Sequence, residues 1–141
     1  MIILMKHITF FILFFTFTNL YANSEKSIIH SNIHDYLDFA SYADGVITPE
    51  QLNAEKKAFI IDTRKNKDFI KGNIPNSVNI EWRNTLNNIN KIPKDELIVV
   101  YCDTGILSSK SHLILKLLGW NNVHVLFGGY QNWLKFEETL K

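Results

Sequence analysis

The chain of 141 residues carries 15 Lys and Arg against 14 Asp and Glu, is 46% apolar and 13% aromatic, and contains 1 cysteine. A formal charge of +1 supplies no basic face for phosphates, so a nucleic-acid partner is not expected, and a single cysteine forms neither an internal disulfide nor a thiolate zinc cage. Hydrophobic burial must therefore hold the fold, in a length that suits one domain and with too few Gly (6) and Pro (3) for a fibrous chain.

Residues 1–22 begin with a short segment holding Lys6 and His7, continue through the uncharged run Ile8 to Phe17, and end Asn19-Leu20-Tyr21-Ala22. This is the pattern of a secretory signal peptide. Thr18 and Asn19 stop the run short of the roughly 20 apolar residues a spanning helix needs, which disfavours a retained anchor. Cleavage after Ala22 removes Lys6 and leaves equal numbers of basic and acidic residues, and no cysteine stands near the junction to carry a lipid. The expectation is an exported protein, periplasmic or secreted, without membrane attachment once the segment is removed. In an oxidising compartment a lone free thiol calls for a reason.

Residues 23–44 read as an N-terminal extension, whose Ile33, Tyr36, Leu37 and Ala40 suit one helix face packing on the domain. The domain proper is residues 45–141. Val46-Ile47 is a short strand; Thr48-Pro49-Glu50-Gln51 starts a helix, with Thr48 as N-cap, Pro49 in the first position and Gln51 closing a capping box. The apolar run Ala58 to Ile61, ending at Asp62, predicts a strand buried on both faces. Lys67 to Lys71 predicts a short helix closed by Gly72, and Ser77 to Ile80 a further strand. The polar segment from Arg83 to Asn90 reads as helix and loop. Leu97 to Tyr101 is the strongest strand signal and runs directly into Cys102. Helical spacing of Leu113, Ile114, Leu117 and Leu118 predicts a helix from Ser108 to Leu118, stopped at Gly119. Val123 to Leu126 is a last strand, and Gly128-Gly129 leads into a helix bearing Trp133. Strands alternating with helices indicate an α/β fold with a mainly parallel, five-stranded sheet and helices on both faces.

Cys102 thus stands at the carboxyl end of a buried strand, where open α/β sheets bind ligands. The segment Cys102-Asp103-Thr104-Gly105-Ile106-Leu107-Ser108 connects that strand to a helix, and such a loop turns backbone N–H groups inward around an anion, here the thiolate. Gly105 allows a tight cradle, and Ser108 can cap the helix and offer a hydroxyl. Position alone leaves two readings open, a nucleophile or a buried structural cysteine.

Several motifs in order tip the balance. Asp62-Thr63-Arg64, Asp68-Phe69, the stretch Gly72 to Ile80, Tyr101-Cys102-Asp103-Thr104-Gly105, Gly119-Trp120, Gly128-Gly129 and Trp133 together resemble the rhodanese family of sulfurtransferases, from Phe59 to Lys135. The resemblance implies a ping-pong reaction: the Cys102 thiolate takes sulfane sulfur from thiosulfate or another persulfide, and the resulting persulfide passes it to a thiol or cyanide. It also implies substrate contacts from Asp103, Thr104, Gly105, Ile106, Leu107 and Ser108, and no cofactor or metal. Relatives with one more loop residue act on phosphate or arsenate, and the six residues Cys102 to Leu107 match the shorter, sulfur-handling loop.

Two positions depart from the family pattern. Leu107 stands where many members carry Arg, and Asn73 where His is common. Without a loop cation, anion binding depends on backbone N–H groups, and weak thiosulfate activity is expected. Asp62 and Arg64 read as a structural brace rather than catalytic groups, and Asp103 as a solvated loop residue. Spacing of the five histidines (His7, His30, His34, His112, His124) suggests no metal site. Trp82, Trp120 and Trp133 read as packing. No heptad or exposed stripe calls for a second copy, so a monomer is expected. A catalytically silent rhodanese-like module that binds a partner or carries sulfur is the alternative reading. A phosphatase or arsenate reductase is disfavoured by the short loop and the missing Arg.

Overall fold

The computed structural model describes residues 27–38, 40, 45–55 and 57–141. Residues 1–22, expected to be a signal peptide, and the expected cleavage junction fall outside the described residues. The chain divides into two units, Met1–Phe39 and Ala40–Lys141. In the first, residues 27–38 form helix α1, which carries Ile33, Tyr36 and Leu37 and a His34–Asp38 pair one turn apart.

The second unit holds a five-stranded, wholly parallel sheet in the order β1-β5-β4-β2-β3. Its elements are β1 (Val46–Ile47), α2 (Pro49–Ala54), β2 (Ala58–Asp62), α3 (Asn66–Lys71), β3 (Val78–Asn79), β4 (Leu97–Tyr101), α4 (Ser108–Leu117), β5 (Val123–Leu126) and α5 (Gly129–Thr139). Thr48 caps α2 as the sequence predicts: Gln51 N–H donates to Thr48 Oγ1, and the Gln51 side chain accepts from Thr48 N–H.

Alternation along β4 builds the core on both faces. Ile98 and Val100 point to one side, with Ile61, Val123, Leu115 of α4 and Trp120. Val99 and Tyr101 point to the other, with Ile47, Leu126, Leu52 of α2 and Trp133 of α5. A strand sends successive side chains to opposite faces, so an uninterrupted apolar run is what a doubly covered strand requires. Helices accordingly lie on both faces.

Several boundaries differ from the sequence reading, α3 starting one residue early at Asn66 among them. The strand expected over Ser77 to Ile80 pairs only at Val78–Asn79, because Ser77 is used in a turn: its N–H donates to Ile74 O at 3.1 Å. Pro75 and Asn76, the latter at φ 63°, fill the central positions of that turn, the type II requirement of Pro followed by a positive φ. The polar segment forms two 3-10 turns, Trp82–Asn84 and Leu86–Lys91, rather than an α-helix, since it lacks a 3.6-residue apolar stripe. Helix α4 ends at Leu117, with Gly119 at φ 89° past its end.

From β2 the chain moves outward to β3, and from β4 it moves the other way to β5. The neighbouring carboxyl ends of β2 and β4 therefore sit where the winding reverses, the crevice in which such sheets hold ligands. Asp62 pairs in register with Tyr101 at that point, so Asp62-Thr63-Arg64 and Cys102 emerge side by side.

Candidate active site

Thr63 ties the two strand ends together, its N–H and Oγ1 both donating to Tyr101 O at 2.8 Å. Directly after Tyr101 the chain turns into the loop, and Cys102 is 2% exposed. Its Sγ accepts from Gly105 N–H at 3.1 Å and Leu107 N–H at 3.3 Å. Ser108 Oγ lies 3.7 Å from Sγ and 3.0 Å from Gly105 O, so its one proton serves one acceptor at a time. The sequence reading made Ser108 a helix cap. Instead Leu107 is the N-cap, without a side-chain bond, and the Ser108 hydroxyl points into the loop.

Gly105 adopts φ 106°, a conformation L side chains rarely take, and that turn aims its N–H at the sulfur. A Cβ there would meet Val125 Cγ1 only at 3.8 Å, so the glycine is needed for its backbone angle rather than for space.

The loop is clamped from behind by α5. Tyr130 N–H donates to Cys102 O at 2.7 Å and Gln131 N–H to Asp103 O at 3.1 Å, which uses two N–H groups that a helix start leaves without internal partners. Gly129, at φ 60°, lets the backbones come this close: a Cβ would run into the carbonyl oxygens of Cys102 and Asp103. Gly129 therefore serves the Cys102 loop directly, whereas a Cβ at Gly128 would meet the Asn132 side chain instead.

Arg64 is the second clamp. Its guanidinium donates to both Asp62 oxygens and to Gly72 O at 2.8 Å, and reaches Asp103 Oδ1 at 3.3 Å. It also lies 5.6 Å from the Tyr101 ring centroid and 4.4 Å from that of Tyr130. Burial pulls its pKa down, but the bonds to Asp62 and Asp103 more than offset this and raise it overall. Arg64 thus links Asp62 at the end of β2 to Gly72 and to the loop residue Asp103. Asp103, expected to be merely solvated, is 57% exposed yet ion-paired to Arg64, because the loop's first turn swings it toward the β2 end. Beside this cluster lies a cavity of about 250 Å³ lined by Arg64, Asp68, Lys71, Gly72, Asp103 and Tyr130.

The Tyr101 phenol accepts from Ile74 N–H at 3.1 Å and pairs with Ser77 Oγ at 3.0 Å, anchoring the α3–β3 turn. Asn73 donates to Phe69 O at 3.1 Å, a local helix-end bond. Thr104 and Ile106 are exposed on the loop and Leu107 half-buried. Trp120 and Trp133 are core residues, as their spacing suggests. Trp82 differs: half-buried, it carries Lys110 Nζ at 4.4 Å and Arg83 Cζ at 4.7 Å from its ring centroid. Tyr130 and the Trp82–Lys110 contact were missed in the sequence; only the Gly-Gly pair before Tyr130 signalled a close approach. Among the described residues no cluster of His, Cys, Asp and Glu could hold a metal ion, and no helix is long and apolar enough to cross a membrane.

Comparison with known proteins finds the "Rhodanese-like domain" family matching residues 48–136. The chain is 32% identical over 89 residues to thiosulfate sulfurtransferase GlpE of Pseudomonas savastanoi pv. phaseolicola, covering 62% of this chain and 84% of that one. It is also 32% identical over 95 residues to a tRNA uridine(34) hydroxylase of Pelagibacter ubique, covering 63% of this chain but 32% of that protein. The first curated relatives are longer proteins, of which the chain spans 23% to 43%. Among solved structures, a rhodanese-related protein from Thermoplasma volcanium superposes with a TM-score of 0.61 at 27% identity, covering 64% of this chain and 91% of that one.

Proposed function

Because the chain belongs to the rhodanese-like domain family, we propose that it is a sulfurtransferase in which Cys102 carries sulfane sulfur between a small donor and a thiol or cyanide acceptor. One observation carries this reading: the Gly105 and Leu107 N–H groups converge on Cys102 Sγ at the mouth of α4. Such donors stabilise negative charge on sulfur in every charged state of the cycle.

With thiosulfate, the Cys102 thiolate attacks the sulfane sulfur. The donor S–S bond breaks, sulfite departs with the electron pair, and a persulfide remains on Cys102. An acceptor thiolate or cyanide then attacks the outer sulfur, and the Cys102 thiolate leaves with the pair of the broken bond. No proton transfer by a neighbouring base is required, in keeping with a nucleophile whose surroundings are backbone N–H groups and one hydroxyl. Asp62, Arg64 and the start of α5 position the loop without touching the reacting sulfur.

The Leu107 side chain favours a second reading, a module that accepts sulfur or binds a partner without turning over. Thiocyanate formation from thiosulfate or an alkyl persulfide with cyanide, abolished in Cys102→Ser, supports the enzyme; no turnover with any sulfane donor supports the silent module. The proposal extends to an exported protein, supported by Lys6, His7 and the Ile8 to Phe17 run, and to a monomer, since no heptad pattern in the sequence calls for a second copy. Fractionation of cells expressing the full chain tests export, and sedimentation tests the monomer.

A further inference from the structure

We infer that Lys110, seated on the ring of Trp82, receives the anionic end of the sulfur donor at the mouth of the Cys102 loop and so supplies the cation that Leu107 does not. This rests on the sulfurtransferase reading above.

Helix geometry brings Lys110 to the mouth. Leu107 has helical backbone angles, φ −78° and ψ −37°, and Lys110 N–H donates to Leu107 O at 3.2 Å. Residues three apart in a helix share a face, and helical side chains lean toward the N-terminus. The Lys110 side chain therefore leans back along the flank of Leu107, whose own N–H donates to Cys102 Sγ.

Trp82 fixes it there. The Trp82 backbone N–H donates to Thr63 O at 3.1 Å, and Thr63 is bonded to Tyr101 O, so the residue that carries the indole is tied to the same sheet rim as the peptide entering Cys102. Thr85 and Ser111 hydroxyls, 3.0 Å apart and buried, hold the 3-10 turn against α4 just below. The ammonium lies 4.4 Å from the indole centroid, a contact that orders a long side chain while leaving its charge uncompensated.

The neighbouring cations are otherwise occupied. Arg83, on the same ring, is bonded to Glu81 Oε1 at 2.6 Å. Arg64 is 5% exposed and engaged by Asp62, Asp103 and Gly72 O. In the cavity beside Arg64, Lys71 and Arg64 face Asp68 and Asp103, so the charges there cancel. Among the described residues Lys110 makes no ion pair.

The test compares sulfur loading of Cys102 by thiosulfate, a dianion, and by 2-hydroxyethyl persulfide, which lacks a sulfonate, in wild type, Lys110→Gln and Lys110→Arg. The inference predicts that Lys110→Gln slows loading by thiosulfate about five-fold or more and flattens its salt dependence. Lys110→Arg restores both, and loading by the alkyl persulfide stays within about two-fold throughout. Equal losses with both donors, or no loss with thiosulfate, overturn it. If wild type is loaded by neither donor, the sulfurtransferase reading itself fails, an outcome distinct from loading that ignores Lys110.

Discussion

Arg64 Nη1 stands 3.3 Å from Asp103 Oδ1, joining the residue after the cysteine to one 39 positions earlier. The same guanidinium holds Asp62, which is 0% exposed against 57% for Asp103. The two pairs should differ sharply in energy. Arg64→Leu leaves the Asp62 carboxylate buried without its partner and should cost about 3–5 kcal/mol, whereas Asp103→Asn should cost less than about 1 kcal/mol. Urea denaturation of both variants checks this; equal losses would mean that Asp103, not Asp62, anchors the arginine.

Gly129 and Gly119 both adopt left-handed angles, φ 60° and 89°, but only Gly129 faces carbonyl oxygens where a Cβ would go. Nothing lies within 4 Å of such an atom at Gly119. Gly119→Ala should therefore cost only the left-handed strain, about 1–2 kcal/mol. Gly129→Ala should cost more, and should also slow sulfur loading by pushing α5 away from Cys102. Denaturation midpoints and loading rates measured on both variants give the comparison, and a Gly129→Ala protein as stable as Gly119→Ala contradicts the clamp.

Burial holds the Tyr101 phenol well above the usual tyrosine range, against the opposing bonds from Ser77 and Ile74. A group whose pKa is raised on folding contributes stability below its unfolded pKa, about 10 for tyrosine, and loses it as pH rises past that value. Tyr101→Phe removes the hydroxyl's bonds to Ile74 and Ser77 and should be about 1 kcal/mol less stable at pH 7. That gap should shrink above about pH 10, because only the wild type has this phenol to ionise on unfolding. Denaturation at pH 7 and pH 11 tests the sign; a gap that widens with pH is the contrary result.

Leu107→Arg places a bidentate donor at the end of the loop, one turn before Lys110. Its apparent KM for thiosulfate should fall, by about five-fold for one added charge-assisted contact. Steady-state kinetics showing no change would mean that the side chain at 107 does not face the donor.

Much of this architecture is legible in the residues themselves. The run from Leu97 to Tyr101 is apolar at every position because both faces of β4 are covered, and that places Cys102 at the strand end. Thr48-Pro49-Glu50-Gln51 states its own cap, since every partner lies within three residues. What escapes is what depends on distant partners. Ser108 looks like a cap because Ser commonly is one; its hydroxyl turns inward only because the loop brings Gly105 O and Cys102 Sγ beside it. Trp82 reads as packing until α4 brings Lys110 over it, and Asp103 reads as solvated until Arg64 crosses from β2.

The central claim is that Cys102 itself holds the transferred sulfur. Intact-mass measurement of the protein after brief exposure to thiosulfate or an alkyl persulfide, before any acceptor is added, tests it most directly. The account predicts one added sulfur, about 32 Da, on Cys102, discharged by cyanide and absent in Cys102→Ser. An unmodified wild-type chain with every donor, or an adduct that persists in Cys102→Ser, contradicts it.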